Sequence, residues 1–448
     1  MTIQVSPRRR ARVASPPPIA RDSAAGSVLV ACPDSRSPAY EAAAGLAGAG
    51  RLGRFETGFY YKGHGPLSEV ARRYVPCHFH KLRRRLLRRN DRRIPAGDVV
   101  SRPSFDLSLA LENRLDSPAL RRSLTRHRTR RFDRALARSI ERNRPGAVLA
   151  FSDVGSDFAL PTCRRLGVPT ILSMVHGEVG EEIEVVAIER DRSPAMFPFY
   201  LGDGRLDLEL LAWFHDRRRR DLDGADRVLV PSGHVADRLV AAGRDRSTLD
   251  VVPYAADTRR FRPHPAREDR PGCTFLFAGG ICGRKGLGDL LNAWSLVRRD
   301  GWRLQLVGAL PAGLASEVEA TGAESLGRVG HREMPAAYDG ADVFVFPSLF
   351  EGSAVVTYEA LASGLPSVTT LASGTVARDG VEAMIVPPRD PEALARAMVR
   401  LGEDRPLRLA LGRAAWARAD EFTRERYHAG LIRSLDRAIA DRRGPSYR

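Results

Sequence analysis

From about Ser27 onward, short apolar runs of strand length alternate with helix-length segments, and this alternation restricts the fold more than any other feature of the chain. Helices that separate successive strands cover both faces of a parallel sheet. SVLVAC (27–32), AVLAF (147–151), TILSMV (170–175) and RVLVPS (227–232) form a first series of strands. LDVVPYAADTRRFRPHP (249–265) interrupts the pattern with proline and charge and reads as a linker. TFLFAGG (274–280), RLQLVG (303–308), DVFVFPS (342–348), PSVTT (366–370) and AMIVPP (383–388) form a second series. A chain of 448 residues exceeds one ordinary core, so the expectation is an α/β protein of two doubly wound domains facing across a cleft. The predicted boundaries are 27–255 and 256–424, with ligands at the carboxyl ends of the strands.

Composition narrows the function classes. The five cysteines (32, 77, 163, 273 and 282) are scattered and never spaced Cys-x-x-Cys, which suits reduced thiols in a cytoplasmic protein and not structural zinc. No apolar run approaches the ~18 residues of a membrane span. Residues 1–26 are basic and proline-rich, lack the apolar stretch of a signal peptide, and read as a disordered tail. The net charge of +17 admits an anionic partner: nucleic acid, an acidic membrane or a phosphorylated substrate. The basic residues are nearly all arginine, the lysines being Lys62, Lys81 and Lys285, so the total looks like genome composition. With aromatics at 7%, stacking surfaces for bases are scarce, and no nucleic-acid partner is expected.

LFEGSAVVTYEALASGLPSV (349–368) carries the chemistry that stands out. Glu351 and Glu359 are separated by seven residues in an otherwise apolar stretch. Ser353 reads as the N-cap of a helix over 354–363, which Gly364 and Pro366 stop. A continuous helical path would put the carboxylates about 12 Å apart, beyond the roughly 5 to 10 Å of a paired acid and base on one glycosidic bond. The spacing fits two ends of an elongated ligand; the alternative is a pair of surface glutamates. GGICGRKGLGDLL (279–291) is a glycine-rich turn opening a helix, a shape that lets backbone amides approach a phosphate. It has neither the Gly-Lys-Ser/Thr of a Walker loop nor Gly-x-Gly-x-x-Gly. Lys285 at its mouth reads either as a diphosphate-facing cation or as a solvated helix-start charge.

Together with GHREMPAAYDGADVFVFPS (330–348), RDGVEAMIVPPRDPEALARAM (378–398) and ADRVLVPSGHVADRLVAAG (225–243), these segments resemble family 4 (group 1) glycosyltransferases of the GT-B fold, built from two Rossmann-like domains. The glutamates fall on that family's Glu-x7-Glu pair. The resemblance implies a retaining enzyme that moves a hexose-type sugar from a nucleotide-sugar to a glycan, lipid-linked or small-molecule acceptor, as in envelope or exopolysaccharide synthesis, with no obligatory metal or other cofactor. It implies that Glu359 takes the ribose hydroxyls, that Lys285 faces the diphosphate, with Arg284 either replacing the arginine missing at Gly280 or leaving the phosphate more weakly bound, and that Glu351 and His176 lie by the sugar. Backbone at Gly352, Ser353, Ala354 and Val355 would face sugar and phosphate, and the turn from Val329 to His331 the base. The chain departs from the pattern at Gly280, where the family commonly has arginine, and in lacking the first-domain glycine pair. A terminal helix over 425–448 is expected to return to the first domain. FHKLRRRLLRRNDRR (79–93) sorts leucines and arginines onto opposite helical faces, so either a peripheral contact with an acidic membrane or an inward-packed surface helix follows. RRRR (217–220) reads as a solvated helix end, and DLD (221–223) as part of it, not as a metal-binding Asp-x-Asp. The rival functions are a GT-B-like protein that binds a sugar nucleotide without transfer, an epimerase, and a basic nucleic-acid binder.

Overall fold

A computed structural model of the chain describes residues 27–34, 37–62, 89–263 and 272–443. The N-terminal tail and residues 79–88 of the basic segment lie outside the described residues; residues 89–93 do not form an α-helix.

Seven strands make the first sheet: β1 (Val28–Cys32), β2 (Leu52–Thr57), β3 (Val99–Ser101), β4 (Ala147–Phe151), β5 (Thr170–Ser173), β6 (Arg227–Val230) and β7 (Leu249–Val251). Their order is β3-β2-β1-β4-β5-β6-β7 and every pairing is parallel. The second sheet holds β8 (Cys273–Ala278), β9 (Trp302–Val307), β10 (Glu324–Gly327), β11 (Val343–Phe346), β12 (Ser367–Thr369) and β13 (Ala383–Ile385), ordered β10-β9-β8-β11-β12-β13 and again parallel. In both sheets the order reverses beside the first strand, at β1/β4 and at β8/β11, and these are the points where a doubly wound sheet opens a crevice.

The central strands β1, β4 and β11 are buried at every position, as expected where helices cover both faces. Of the four edge strands only β13 was among the expected strands, as AMIVPP. β7 lies inside the stretch read as linker, yet pairs Leu249 with Val228 and Val251 with Val230. An edge strand needs only three residues here, and its Asp250 is accommodated because Arg227, Ser434 and Arg437 all bond it. β3 and β10 are likewise short edges with serine or glycine in them.

The helix Arg424–Arg443 leaves the second half and lies against helix Ser37–Gly48 and strands β4 to β6. His428 meets Glu41 at 2.8 Å, Asp436 meets Arg51 at 2.9 Å, and Asp441 meets Arg227 at 2.9 Å. The halves also touch at the cleft: Val185 and Tyr200 from the first pack with Leu349 and Phe350 from the second. Gly352 is pressed so closely on the β5 loop that a Cβ there would stand 2.7 Å from the Val175 carbonyl oxygen, and its own carbonyl accepts a 2.7 Å bond from Ser232.

Candidate active site

The turn after β8 and the loop after β11 meet at the second sheet's reversal point, and they bring together three of the predicted residues. Gly286 has φ +73°, and a Cβ at that position would fall 2.0 Å from the Pro347 carbonyl oxygen, so only glycine lets the turn press against the loop. Lys285 is thereby delivered onto the Glu351 carboxylate, with its ammonium 5.0 Å from the Phe346 ring centre. Arg284 stands 3.2 Å from the same carboxylate oxygen and donates to the Phe350 carbonyl at 3.0 Å. Burial alone would raise the Glu351 carboxyl; the two cations outweigh it and hold the group below its ordinary value. Arg284 is raised in turn, Glu351 outweighing the desolvation that opposes its charge. Glu351 therefore has its partner 66 positions upstream, outside its own segment. Around Gly280 the space is open, and a Cβ there would meet nothing within 4 Å.

Glu359 lies in the helix Val355–Ala362 and is 7% exposed. Its carboxylate accepts a 2.9 Å bond from the Tyr338 hydroxyl, and burial pushes its pKa up to about 7. A cavity of about 80 Å³ opens beside it, bordered also by Val355, Phe261 and His331. Burial and the neighbouring Arg260 push the His331 imidazole below its ordinary value. Val329 is not among the residues bordering this cavity, whereas His331, two positions on, is.

Ser353 is not the helix cap. The cap position is Ala354, with no side-chain bond, and the Ser353 hydroxyl instead donates to the Gly374 carbonyl at 2.7 Å and meets the Tyr358 hydroxyl at 2.9 Å. The Ala354 amide is also taken, donating to the Ser373 carbonyl at 3.0 Å, so it does not face a ligand. Among the described residues no such bond engages the amides of Gly352, Ser353 and Val355; Val355 opens the helix at the positive end of its dipole, and Gly352 and Ser353 lie just before its cap.

Across the cleft, His176 follows β5 and places Nε2 3.1 Å from Asp153 Oδ2. Asp153 follows β4 and has φ +75°, a left-handed conformation that costs energy for a side chain with a Cβ. It is held there from both ends: its amide donates to Asp221 at 2.7 Å, and Arg218 donates to its other oxygen at 3.0 Å. Arg218 also bonds Glu182 at 2.7 Å, and His215 meets Glu182 at 2.9 Å. The arginine run is thus solvated only in part: Arg219 and Arg220 are exposed, whereas Arg217 and Arg218 are turned inward. Arg217 is fully buried between Asp133 and Asp157, because helix Leu208–Gly224 turns that face onto the first domain. Asp221 is buried as the anchor of Asp153, with a pKa pushed by burial to about 7, while Asp223 is exposed, so the two carboxylates diverge. Among the described residues no three His, Cys, Asp or Glu side chains gather as a metal site.

A cavity of about 430 Å³ extends from His176, Asp153 and Arg284 into the first half, walled by Phe105, Leu109, Phe132 and Phe214. Sequence reasoning missed Asp153 and Tyr338. The signal for Asp153 was present as an aspartate just beyond a fully apolar strand, the position where doubly wound sheets present side chains to a ligand.

Comparison with known proteins follows the same geography. Residues 272–404 match the family described as glycosyl transferases group 1. A GDP-mannose-dependent alpha-(1-6)-phosphatidylinositol monomannoside mannosyltransferase of Mycobacterium tuberculosis is 30% identical over 228 residues, 44% of this chain and 57% of that protein. A D-inositol 3-phosphate glycosyltransferase of Pseudarthrobacter chlorophenolicus is 31% identical over 251 residues, 49% of this chain and 60% of that protein. The chain thus spans less than two thirds of the length of these curated relatives. Among solved structures, Anabaena HepE in complex with UDP-glucose superposes with a TM-score of 0.56 at 14% identity, covering 92% of this chain and 99% of that one. WaaG, a glycosyltransferase involved in lipopolysaccharide biosynthesis, gives 0.58 at 14% identity, covering 90% and 99%. The chain has the GT-B fold.

Proposed function

We propose that this protein is a retaining glycosyltransferase that moves a hexose-type sugar from a nucleotide-sugar to a glycan, lipid-linked or small-molecule acceptor in envelope or exopolysaccharide synthesis. The observation that carries the reading is the partly buried Lys285–Glu351–Arg284 cluster at one end of a segment whose other end holds Glu359. Glu359 takes the ribose hydroxyls, Lys285 and Arg284 face the diphosphate, and Glu351 and His176 border the sugar. The amides of Gly352, Ser353 and Val355 supply further positive potential at the phosphate. Support comes also from the group 1 match over the half that bears these residues, and from neighbours solved with UDP or UDP-glucose.

Cleaving the sugar–phosphate bond develops negative charge on the diphosphate, and fixed cations in a partly buried site lower that barrier without reorganising. Lys285 and Arg284 supply the charge a metal would otherwise provide, so metal is not obligatory. The leaving phosphate oxygen takes the acceptor's proton on the face it departs from, which retains the anomeric configuration. The cavity of about 430 Å³ receives the acceptor at His176. None of the described helices is long and apolar enough to cross a membrane; the protein acts in the cytoplasm, with peripheral contact at an acidic membrane face when the acceptor is lipid-linked.

The test is hydrolysis of a panel of nucleotide-sugars without acceptor, with product configuration followed by NMR. One nucleotide-sugar should be cleaved with retention, and a chelator should leave the rate intact. Binding of a nucleotide-sugar with no cleavage and no transfer would favour the rival reading of a binding protein. Loss in chelator, rescued by Mn²⁺, would reject metal-independence.

A further inference from the structure

A second recess, a groove of about 470 Å³, adjoins the acceptor cavity and shares only Phe105, Arg128 and Phe132 with it. One wall is the helix Pro118–Asn143, which turns His127, Arg131, Arg134 and Arg138 into the groove at intervals of four, three and four residues, a single helical face. The opposite wall carries the hydroxyls of Ser104 and Ser108, one helical turn apart. Among the described residues the lining includes five arginines and no carboxylate. Two of those arginines are already engaged, Arg102 by Glu56 and Arg128 by Glu112. Arg131, Arg134 and Arg138 make no ion pair among the described residues; Arg134 only covers the Phe158 ring at 4.5 Å.

Several other arginines of the same helix are neutralised, although Arg121 and Arg142 make no ion pair among the described residues. Arg122 meets Asp207, Arg126 meets Glu209, and Arg130 meets Asp157. Like charges three and four positions apart weaken a helix, so an unneutralised stripe is sustained against its own repulsion. Guanidinium forks opposite hydroxyls form a set that can donate several hydrogen bonds to tetrahedral oxyanions. From Arg131 to Arg138 the helix rises about 10 Å, farther than one phosphate spans.

We propose that this groove binds an anion carrying two or more phosphate groups, at a site separate from the nucleotide-sugar cleft. The test uses the full chain, with inositol hexakisphosphate as the soluble probe and phosphatidylcholine vesicles containing cardiolipin as the lipid probe. The variant R131Q/R134Q/R138Q is compared with R396Q/R405Q/R413Q, which removes the same charge from exposed arginines of the second half that make no ion pair among the described residues. Binding should weaken about tenfold or more in the groove variant and change little in the control, as loss of several charge-assisted contacts requires. The probe whose binding shows that selective loss identifies the source as soluble or lipid-borne. Equal weakening in both variants reduces the effect to net charge and overturns the proposal, as does the absence of saturable binding to either probe. R131Q/R138Q spares the arginine on Phe158 and should show a smaller selective loss with an unchanged melting curve, so a folding defect in the triple variant does not shelter the idea. Nucleotide-sugar hydrolysis should be unaffected in the groove variant, as a site outside the cleft requires.

Discussion

Glu351 and Glu359 lie eight positions apart in one segment, both are largely buried, and their surroundings drive them in opposite directions. Glu351 sits against Arg284 and Lys285 and is held ionised below its ordinary range. Among the described residues Glu359 has only a phenol at hydrogen-bonding distance, and burial raises it to about 7. The difference follows from the backbone that brings their neighbours: the β8 turn carries cations to the first, while helix Met334–Asp339 carries Tyr338 to the second. On the proposed function, one end of the segment meets a ligand's negative charge and the other its hydroxyl donors. If the two carboxylates were interchangeable surface groups, variants at the two ends would behave alike.

The largest effect is expected at the charged end. Lys285→Ala should lower kcat/KM by roughly 30- to 160-fold, the equivalent of about 2 to 3 kcal/mol for a hydrogen bond to a charged group. Steady-state kinetics with the cleaved nucleotide-sugar provide the check, and unchanged turnover would remove Lys285 from the phosphate. Glu351→Gln should act first on stability, costing about 2 kcal/mol because two neighbouring cations lose their counter-charge. The sign with pH is fixed by the lowered pKa: the contribution of Glu351 is present above its ordinary 4.5 and is lost as pH falls through the folded value. The variant's deficit in melting temperature should therefore shrink in acid. Its affinity for inorganic pyrophosphate should rise, since the cations are unmasked; a fall would mean that the carboxylate, not the cations, organises that end.

At the uncharged end the expected change is smaller and pH-dependent. Carboxylate acceptance of ribose hydroxyls requires the ionised form, so nucleotide-sugar affinity should rise as pH increases through about 7, where Glu359 loses its proton. Unliganded stability runs the other way: the raised group favours the fold at low pH, and that contribution is lost between the ordinary 4.5 and about 7. Glu359→Gln should weaken binding by about tenfold, near 1.4 kcal/mol, and flatten the pH dependence. Calorimetry in two buffers of different ionisation enthalpy at pH 6 should show proton release on binding to the wild type and none to the variant.

The same contrast explains what sequence could reveal. The buried central strands of both sheets were legible because parallel sheets covered on both faces leave unbroken apolar runs such as AVLAF and VFVF. The edges β3, β7 and β10 were not, since short strands interrupted by serine, aspartate or glycine carry no such run, whereas the equally short edge β13 was legible in AMIVPP. Glu351, Glu359 and Lys285 were recognisable by spacing and by the turn around them. Their partners were not, because Lys285 reaches Glu351 across 66 positions and Tyr338 reaches Glu359 across 21. Arg217 and Asp221 were misread because local composition cannot tell a charged helix face turned to solvent from one turned onto Asp133, Asp157 and the strained Asp153.

The finest test changes Tyr338 and leaves both glutamates in place. Tyr338 is fully buried, and its hydroxyl is 2.9 Å from the Glu359 carboxylate. That bond stabilises the ionised carboxylate and so opposes the rise that burial imposes. Tyr338→Phe keeps the ring packed on Phe261 and Phe344 but removes the donor. The midpoint of the affinity–pH curve should therefore move above 7, while affinity well above that midpoint falls by no more than about 1 kcal/mol, the net size of one neutral hydrogen bond. Because the Lys285 end is untouched, turnover at saturating nucleotide-sugar and alkaline pH should match the wild type. A shift of the midpoint downward would mean that the phenol stabilises the protonated acid instead. The uncharged end would then bind the ribose as a hydrogen-bond donor, and the division of labour between the two glutamates would have to be reassigned.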